Sequence, residues 1–331
     1  MTVVNQVDAY FQIHHYFFTF FAWILLFSMS QAIIAWSLII IGLYLLCGYL
    51  LRQCFLNFKL DHHPFCFWLF WFALGFQIPL VFSLERGNND VIILILSILC
   101  LYAFTQNRWR EAGFLQILSV GLKLYPIFIS IPLVAYFWKQ KPFKAFFTAG
   151  LISGTALFFI LWDQHIYYII NVLPGYASLR SFLPTENFEH AIAGGDYGIP
   201  YLGNLLSASL LIVCLWLCRR KQMHLSPILY AFAICTYFAN VSFDYNLVTT
   251  LPLFIYLILI ALNETKQNDR KNLKLPLFLF TGIFIFFILI HFKALYPTQL
   301  KYLLMWGWLM TIGLWLGKTD QLPTHQLNTE T

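Results

Sequence analysis

The chain has 331 residues, of which 60% are hydrophobic and 10% charged, with a formal net charge of +6. A globular domain carries about 25% charged residues, so the composition excludes an ordinary soluble domain. It predicts an all-α, polytopic transmembrane helical bundle of about 9–11 membrane segments, because a helix needs about 20 apolar residues to cross the hydrocarbon core.

The chain opens with MTVVNQVDAY, which lacks the basic region of a secretory signal peptide. The aromatic run 14–29 follows, and we interpret it as a re-entrant or interfacial helix because Ser30 is expected outside. Later apolar runs predict helices at 33–51, 64–84, 91–105, 145–162, 201–218, 226–241, 245–263, 275–292 and 302–317.

Most of the 20 lysines and arginines cluster between these helices. The clusters are Arg52/Lys59, Arg108/Arg110, Lys139/Lys141/Lys144, Arg219/Arg220/Lys221, Lys266/Arg270/Lys271/Lys274 and Lys318. The positive-inside rule places them in the cytoplasm. This predicts a multi-pass protein of the plasma (inner) membrane, with one membrane domain over 1–318 and a disordered, polar cytoplasmic tail over 319–331. The outer loops 85–90, 163–200 and 241–245 then form the expected site on the non-cytoplasmic face.

Lys123 interrupts the uncharged stretch 112–138. An ammonium at bilayer depth costs roughly 2.5–3.5 kcal/mol on insertion scales, so a lysine at this position requires an explanation. Basic clusters bracket the stretch on one side, which predicts a re-entrant helical hairpin with arms 112–122 and 124–138, broken near Gly121 and Pro126. Lys123 would lie at its tip. The alternatives are one tilted helix over 111–138, and a lysine that snorkels at a helix end without a ligand.

Three segments occur in a characteristic order: ERGNND at 85–90, the basic turn TQNRWREAG, and LSVGLKLYP. Together they resemble the GT-C type membrane glycosyltransferases of the family-87 group, relatives of the polyprenyl-phosphate-mannose-dependent mannosyltransferases. VSFDYNLVTTLP at 241–252 resembles a later segment of that group, and the resemblance covers roughly residues 10–260. The matching residues of the first three segments are Gly87, Asn88, Asp90, Ala112, Gly113, Lys123 and Pro126.

The resemblance implies transfer of a sugar, a hexose such as mannose, from a polyprenyl-phosphate donor to a lipid or glycan acceptor. We expect membrane lipids as further partners and no nucleic acid, and the sequence identifies no cofactor and no metal-binding residue. Asp90 and Asp8 are the candidates for the catalytic base. The implied substrate contacts are Lys123, which would pair with the donor phosphate, Arg86, which would add a bidentate contact, and Asn88, Asn89, Tyr125, Asp244 and Tyr245.

The chain departs from the family at two places. The family carries its presumed catalytic aspartate after a first transmembrane helix, whereas no helix precedes Asp8 here. A histidine of the later family segment is replaced, with Asp244 and Tyr245 in its place. These departures lead to the alternative of an N-terminally truncated, inactive homologue.

A transporter or flippase of lipid-linked sugars is the remaining function class. Such a protein should show matching broken helices in two repeats, and the sequence shows one break, at 121–126. Two motifs also have plainer interpretations. ERGNND can cap the helix that begins near Val91, and Asp61-His62-His63 is interpreted as a solvated linker rather than a metal site.

Overall fold

The structure is a computed structural model that describes residues 26–60, 63–75, 80, 90–123, 125–137, 141–160, 162–167, 170, 202–221, 224–238, 248–266 and 298–318. Within these ranges the regular secondary structure is helical, with no strand, as the sequence predicted. The expected helix 275–292, the run 14–25 and the tail 319–331 lie outside the described residues.

The helices follow the predicted order with shifted ends. They are α1 Met29–Asn57, α2 Pro64–Gly75, α3 Asp90–Thr105, α4 Trp109–Leu122, α5 Ser130–Phe137, α6 Lys141–Ile160, α7 Trp162–Tyr167, α8 Leu202–Arg220, α9 Leu225–Ile234, α10 Leu251–Lys266 and α11 Thr298–Lys318. Short 3-10 segments span Tyr125–Ile129 and Cys235–Phe238. The predicted helix 226–241 therefore ends early, at Ile234.

Two helices in the described part are long and apolar enough to cross a membrane by length and composition, namely α1 and residues Pro142–Ile160 of α6. Shorter apolar helices of 10–17 residues accompany them. The long helices expose apolar side chains, such as Leu38 on α1 and Ile152 on α6. By contrast, every residue of α9 is buried. The shorter helix lies inside and the longer ones face outward.

Antiparallel packing joins α1 and α2 through aromatic side chains. The Tyr44 ring stacks on Trp71 with 4.6 Å between centroids, and its hydroxyl donates a hydrogen bond of 2.7 Å to the Trp71 carbonyl. Gly75 faces the same tyrosine, where an added Cβ would lie 1.7 Å from the phenol oxygen. A side chain at position 75 is therefore incompatible with this pair.

A tight turn joins α3 to α4 as an antiparallel pair. Asn107 adopts a left-handed φ of 59°, the amide of Arg108 donates to the Ala103 carbonyl at 2.9 Å, and the amide of Asn107 donates to Phe104 at 3.1 Å. These two bonds form a Schellman cap, which satisfies carbonyls that the helix end leaves open. Ser97 and Ser119 then meet across the pair at 3.1 Å between hydroxyl oxygens.

Helices α4 and α6 run parallel and in close contact. An added Cβ at Gly113 would meet the Phe146 carbonyl, while Ile117 lies one turn further along, against Gly150 and Gly154. Because both helices advance in the same direction, the chain between them must return to the end where α4 began. The return starts at Lys123, which is extended at φ −151° and ψ 144°.

The tilted single helix over 111–138 is therefore wrong, since α4 ends at Leu122 and a 3-10 segment follows. The helix break is where the sequence placed it. Helix α5 packs on α6, α8 and α9, so the returning arm is embedded among other helices. The re-entrant topology of this arm stays a prediction.

In the second half of the chain, α8 and α11 also run parallel and in contact. The Trp306 indole of α11 donates to the Leu206 carbonyl of α8 at 3.0 Å, and the Arg220 guanidinium donates to the Gly317 carbonyl at 2.9 Å. The 3-10 segments Tyr125–Ile129 and Cys235–Phe238 pack against each other. The end of α4 and the end of α9 are thus at the same end of the bundle.

The described basic clusters lie at the other end. Asn57, at the end of α1, donates to Thr105, at the end of α3, at 2.9 Å, which brings Lys59 and Arg108 to one end. Arg219, Arg220 and Lys221 follow at the end of α8, beside Gly317 and the α11 terminus. The expected grouping of positive charge on one side agrees with this packing.

Candidate functional site

A cluster of three polar side chains lies at the end of the bundle remote from the basic residues. The Lys123 ammonium donates to both carboxylate oxygens of Asp90, at 3.0 Å and 2.9 Å. The Tyr125 hydroxyl donates to Oδ1 of the same carboxylate at 2.6 Å. These three residues, which we call the Asp90 cluster, come from the start of α3 and the chain just after α4.

The turn between α3 and α4 determines which residues meet. Asp90 lies 17 residues before Asn107 and Lys123 lies 16 residues after it, so an antiparallel pair brings them level. Tyr125 turns back toward the pair because the 3-10 segment starts there. The Gln116 amide of α4 donates to the Pro126 carbonyl at 2.8 Å and holds this segment against the helix.

Burial makes the cluster electrostatically asymmetric. The Asp90 side chain is fully buried, whereas 21% of the Lys123 side chain is exposed. A buried carboxylate is costly by several kcal/mol unless it is paired and hydrogen-bonded, and here it accepts three hydrogen bonds. Helix ends add to the pairing, since an anion is favoured in the first turn of α3 and a cation at the end of α4. Of the two charges, Lys123 is the one that meets the surface.

A line of buried polar side chains leads away from the cluster between α3 and α4. Ser97 and Ser119 are completely buried and bonded to each other. Gln116 is 3% exposed, and its Oε1 atom has no hydrogen-bond partner among the described residues. The sequence interpretation did not single out these three residues, because each lies alone in an apolar run.

The predicted site residues divide into two groups. Asp90, Lys123 and Tyr125 are brought together, although the sequence interpretation gave them separate roles and missed their mutual contacts. The nearly equal separations of Asp90 and Lys123 from the Asn107 turn, 17 and 16 residues, are the sequence signal for this pair. The remaining candidates lie outside the described residues: Asp8, Arg86, Asn88, Asn89, Asp244 and Tyr245.

Two further observations concern metal and thiol chemistry. Among the described residues, no group of three or more His, Cys, Asp or Glu side chains comes together. The seven cysteines are free thiols, and six of them are buried. Lys123 has a carboxylate partner within its own chain.

The chain is similar to known proteins over part of its length. The sequence profile of glycosyltransferase family 87 matches residues 15–242. A segment of 64 residues is 31% identical to GPI mannosyltransferase 1 of Trypanosoma brucei brucei, and it covers 19% of this chain and 15% of that protein. No solved structure matches the chain. The Asp90 cluster lies inside the range of the family match.

Proposed function

We propose that this chain, which belongs to glycosyltransferase family 87, transfers a hexose such as mannose from a polyprenyl-phosphate donor to a lipid or glycan acceptor. The observation that carries the proposal is the Asp90 cluster, where a partly exposed lysine and a buried carboxylate meet at one end of a helical bundle. The name of the trypanosomal relative, a mannosyltransferase, supports mannose as the sugar.

The charge distribution supports the proposed sidedness. The basic clusters lie at the opposite end from Asp90, and the positive-inside rule assigns such an end to the cytoplasm. The proposed enzyme is therefore a multi-pass protein of the plasma membrane, with GT-C architecture and a site on the non-cytoplasmic face. A donor whose phosphate lies at the headgroup level of that leaflet would reach Lys123 from the membrane.

The chemistry of the donor fits the residue types. A polyprenyl-linked sugar phosphate is an anionic diester, and a lysine ammonium binds phosphate as a compact point charge. Arg86, Asn88 and Asn89 directly precede Asp90 in the chain, so we place their donors on the phosphate and on sugar hydroxyls. Asp244 and Tyr245 would approach from the later outer loop.

The proposed transfer needs one proton acceptor and one leaving group. The acceptor hydroxyl oxygen forms a bond to the anomeric carbon, and the bond between that carbon and the phosphate oxygen breaks with its electron pair on the phosphate. The hydroxyl proton passes to a carboxylate, Asp90 or Asp8, and then to solvent. Lys123 stabilises the charge that develops on the leaving phosphate.

The test is transfer from radiolabelled polyprenyl-phosphate-mannose in membranes that contain the chain. We expect labelled product from the wild type and from Glu111→Gln, a control at an exposed carboxylate in the first turn of α4. Asp90→Asn and Asp8→Asn are compared beside it, and loss of about 100-fold or more in one of them identifies the base. Movement of the labelled lipid across sealed vesicles without product would instead establish a flippase and overturn the proposal.

A further inference from the structure

We infer that Asp90 is the resting counterion of Lys123, and that the phosphate of the lipid-linked donor displaces it and thereby exposes the carboxylate to the acceptor. This inference rests on the proposed function, because it assigns the order of events at the same site. It makes Asp90 a competitor of the donor phosphate as well as a candidate base.

In the resting arrangement the Asp90 carboxylate is paired and enclosed. Lys123 bonds both oxygens, at 3.0 Å and 2.9 Å, and Tyr125 bonds Oδ1 at 2.6 Å. None of the side-chain surface is exposed. A general base must come within hydrogen-bond reach of the proton that it takes, so Asp90 cannot serve as one until Lys123 moves.

Lys123 is the member of the cluster that can move. Its side chain is partly exposed, it stands at the end of a helix in extended backbone, and its four-carbon stem rotates freely. An anion that arrives from outside therefore meets the ammonium before it meets Asp90. A phosphate gives the ammonium a new counterion, which offsets the loss of the original pair.

Tyr125 has a distinct role in this exchange. When the ammonium turns to the phosphate, the phenol still donates to Oδ1 and holds the carboxylate in position. Oδ2 is then free to accept a hydrogen bond from the acceptor hydroxyl. Tyr125 is thus a positioning residue that acts through Asp90.

The exchange also bears on product binding. Breaking the sugar–phosphate bond turns a diester with one negative charge into a monoester, whose second ionisation lies near pH 6, so Lys123 holds the product more tightly than the donor. The proton taken from the acceptor leaves Asp90 neutral at that moment. Once this proton reaches solvent, the carboxylate competes with the product for Lys123 and weakens its binding.

Binding of plain polyprenyl phosphate to the purified full chain in nanodiscs tests the inference. Asp90→Asn removes the competitor, so we expect it to bind this lipid about tenfold more tightly than the wild type, whereas Lys123→Met should lose binding. Glu111→Gln, at an exposed carboxylate in the first turn of α4, is the control and should bind as the wild type. Equal or weaker binding by a folded Asp90→Asn variant would overturn the inference.

A second measurement uses the wild type alone and does not depend on variant folding. Infrared difference spectra with and without polyprenyl phosphate should show a shift of a carboxylate stretch, and inorganic phosphate in place of the lipid reports whether the phosphate group suffices. A wild-type spectrum without a carboxylate shift contradicts the exchange. If Asp90→Asn binds the lipid more tightly but the wild type transfers no mannose, the exchange stands and the proposed donor sugar or acceptor is refuted.

Discussion

Gly113 of α4 lies directly against the Phe146 carbonyl of α6, and a Cβ added to the glycine would come within 2.1 Å of that oxygen. On the other helix, a Cβ at Gly150 would lie 3.4 Å from the Gly113 carbonyl. Two glycines thus allow the backbones to approach, as small residues do between membrane helices. The Ala-Gly pair that resembles the family motif therefore has a packing role in this chain.

Replacement of this glycine should separate the two helices. We expect Gly113→Ala to lower the free energy of unfolding by about 1–3 kcal/mol, the usual cost of overpacking, because the obstructing atom belongs to the backbone. Thermal unfolding in detergent measures the effect. The control is Gly121→Ala in the same helix, where an added Cβ meets nothing within 4 Å. It should stabilise the protein by about 0.5–1 kcal/mol, and equal losses in both variants would contradict the packing argument.

Loss of Lys123 should lower the free energy of unfolding more than loss of Asp90. Lys123→Met leaves a fully buried carboxylate without its cation, and we expect it to cost about 3–5 kcal/mol of unfolding free energy. Asp90→Asn leaves a lysine that is partly exposed, so its cost should be smaller. The double variant Asp90→Asn/Lys123→Met removes both charges and should be more stable than Lys123→Met alone. Denaturant unfolding of the four proteins measures the coupling, and simple additivity would show that the pair does not stabilise the fold.

Lys59 occupies a strained backbone position after α1. Its φ of 58° is left-handed, and the amides of Lys59 and Leu60 donate back to Leu56 and Phe55 in a Schellman cap. Because a Cβ costs about 1–2 kcal/mol in this conformation, we expect Lys59→Gly to raise the stability by about 1 kcal/mol. Asn107→Gly is the matched comparison at φ 59°, and its gain should be smaller since asparagine tolerates this region. A loss of stability in Lys59→Gly would contradict the cap.

His224 should make the stability depend on pH. It lies in the turn between α8 and α9, and its pKa is lowered from the ordinary value of 6.5, first by burial and second by the Lys221 charge. In the unfolded chain this histidine binds its proton near pH 6.5, so between that pH and the lower folded pKa the unfolded state binds more protons. Stability is therefore complete above about pH 6.5 and falls as the pH drops below it.

The variant His224→Asn tests this pH dependence. Asparagine does not titrate, so the loss of melting temperature between about pH 7.5 and pH 5.5 should be smaller than in the wild type. Asparagine is also a favoured N-cap, and the present N-cap histidine makes no side-chain cap bond. If the melting temperature of the variant falls with pH as much as that of the wild type, groups other than His224 cause the pH dependence.

Hydropathy predicted helices well where charge bounds an apolar run. The expected helix 91–105 is observed as Asp90–Thr105, because an acid and a capped turn limit it. The expected helix 226–241 instead ends at Ile234 in a 3-10 segment, where the Cys235 thiol donates to the Phe232 carbonyl at 2.9 Å. This segment packs on Tyr125–Ile129, a contact between distant parts of the chain that hydropathy does not carry.

For the site as well, the sequence indicates single residues but not the contacts between them. Lys123 is a candidate because its charge interrupts an apolar run, and the resemblance to family 87 adds Asp90 and Tyr125. Their contacts depend on the Asn107 turn, which makes the two helices antiparallel, and on the 3-10 segment, which aims Tyr125 at the carboxylate. Periodicity along one helix contains neither piece of information.

The enclosed position of α9 determines how the protein meets a bilayer. This helix has 10 residues, about 15 Å, and no face toward lipid. Helix α1 has 29 residues, about 43 Å, and exposes its apolar side chains. Hydrophobic mismatch is accommodated by the tilt of lipid-facing helices, so a thicker or thinner membrane acts on α1 and α6 first. The enclosed helix α9 keeps its own length, so a change of membrane thickness reaches it only through the helices around it.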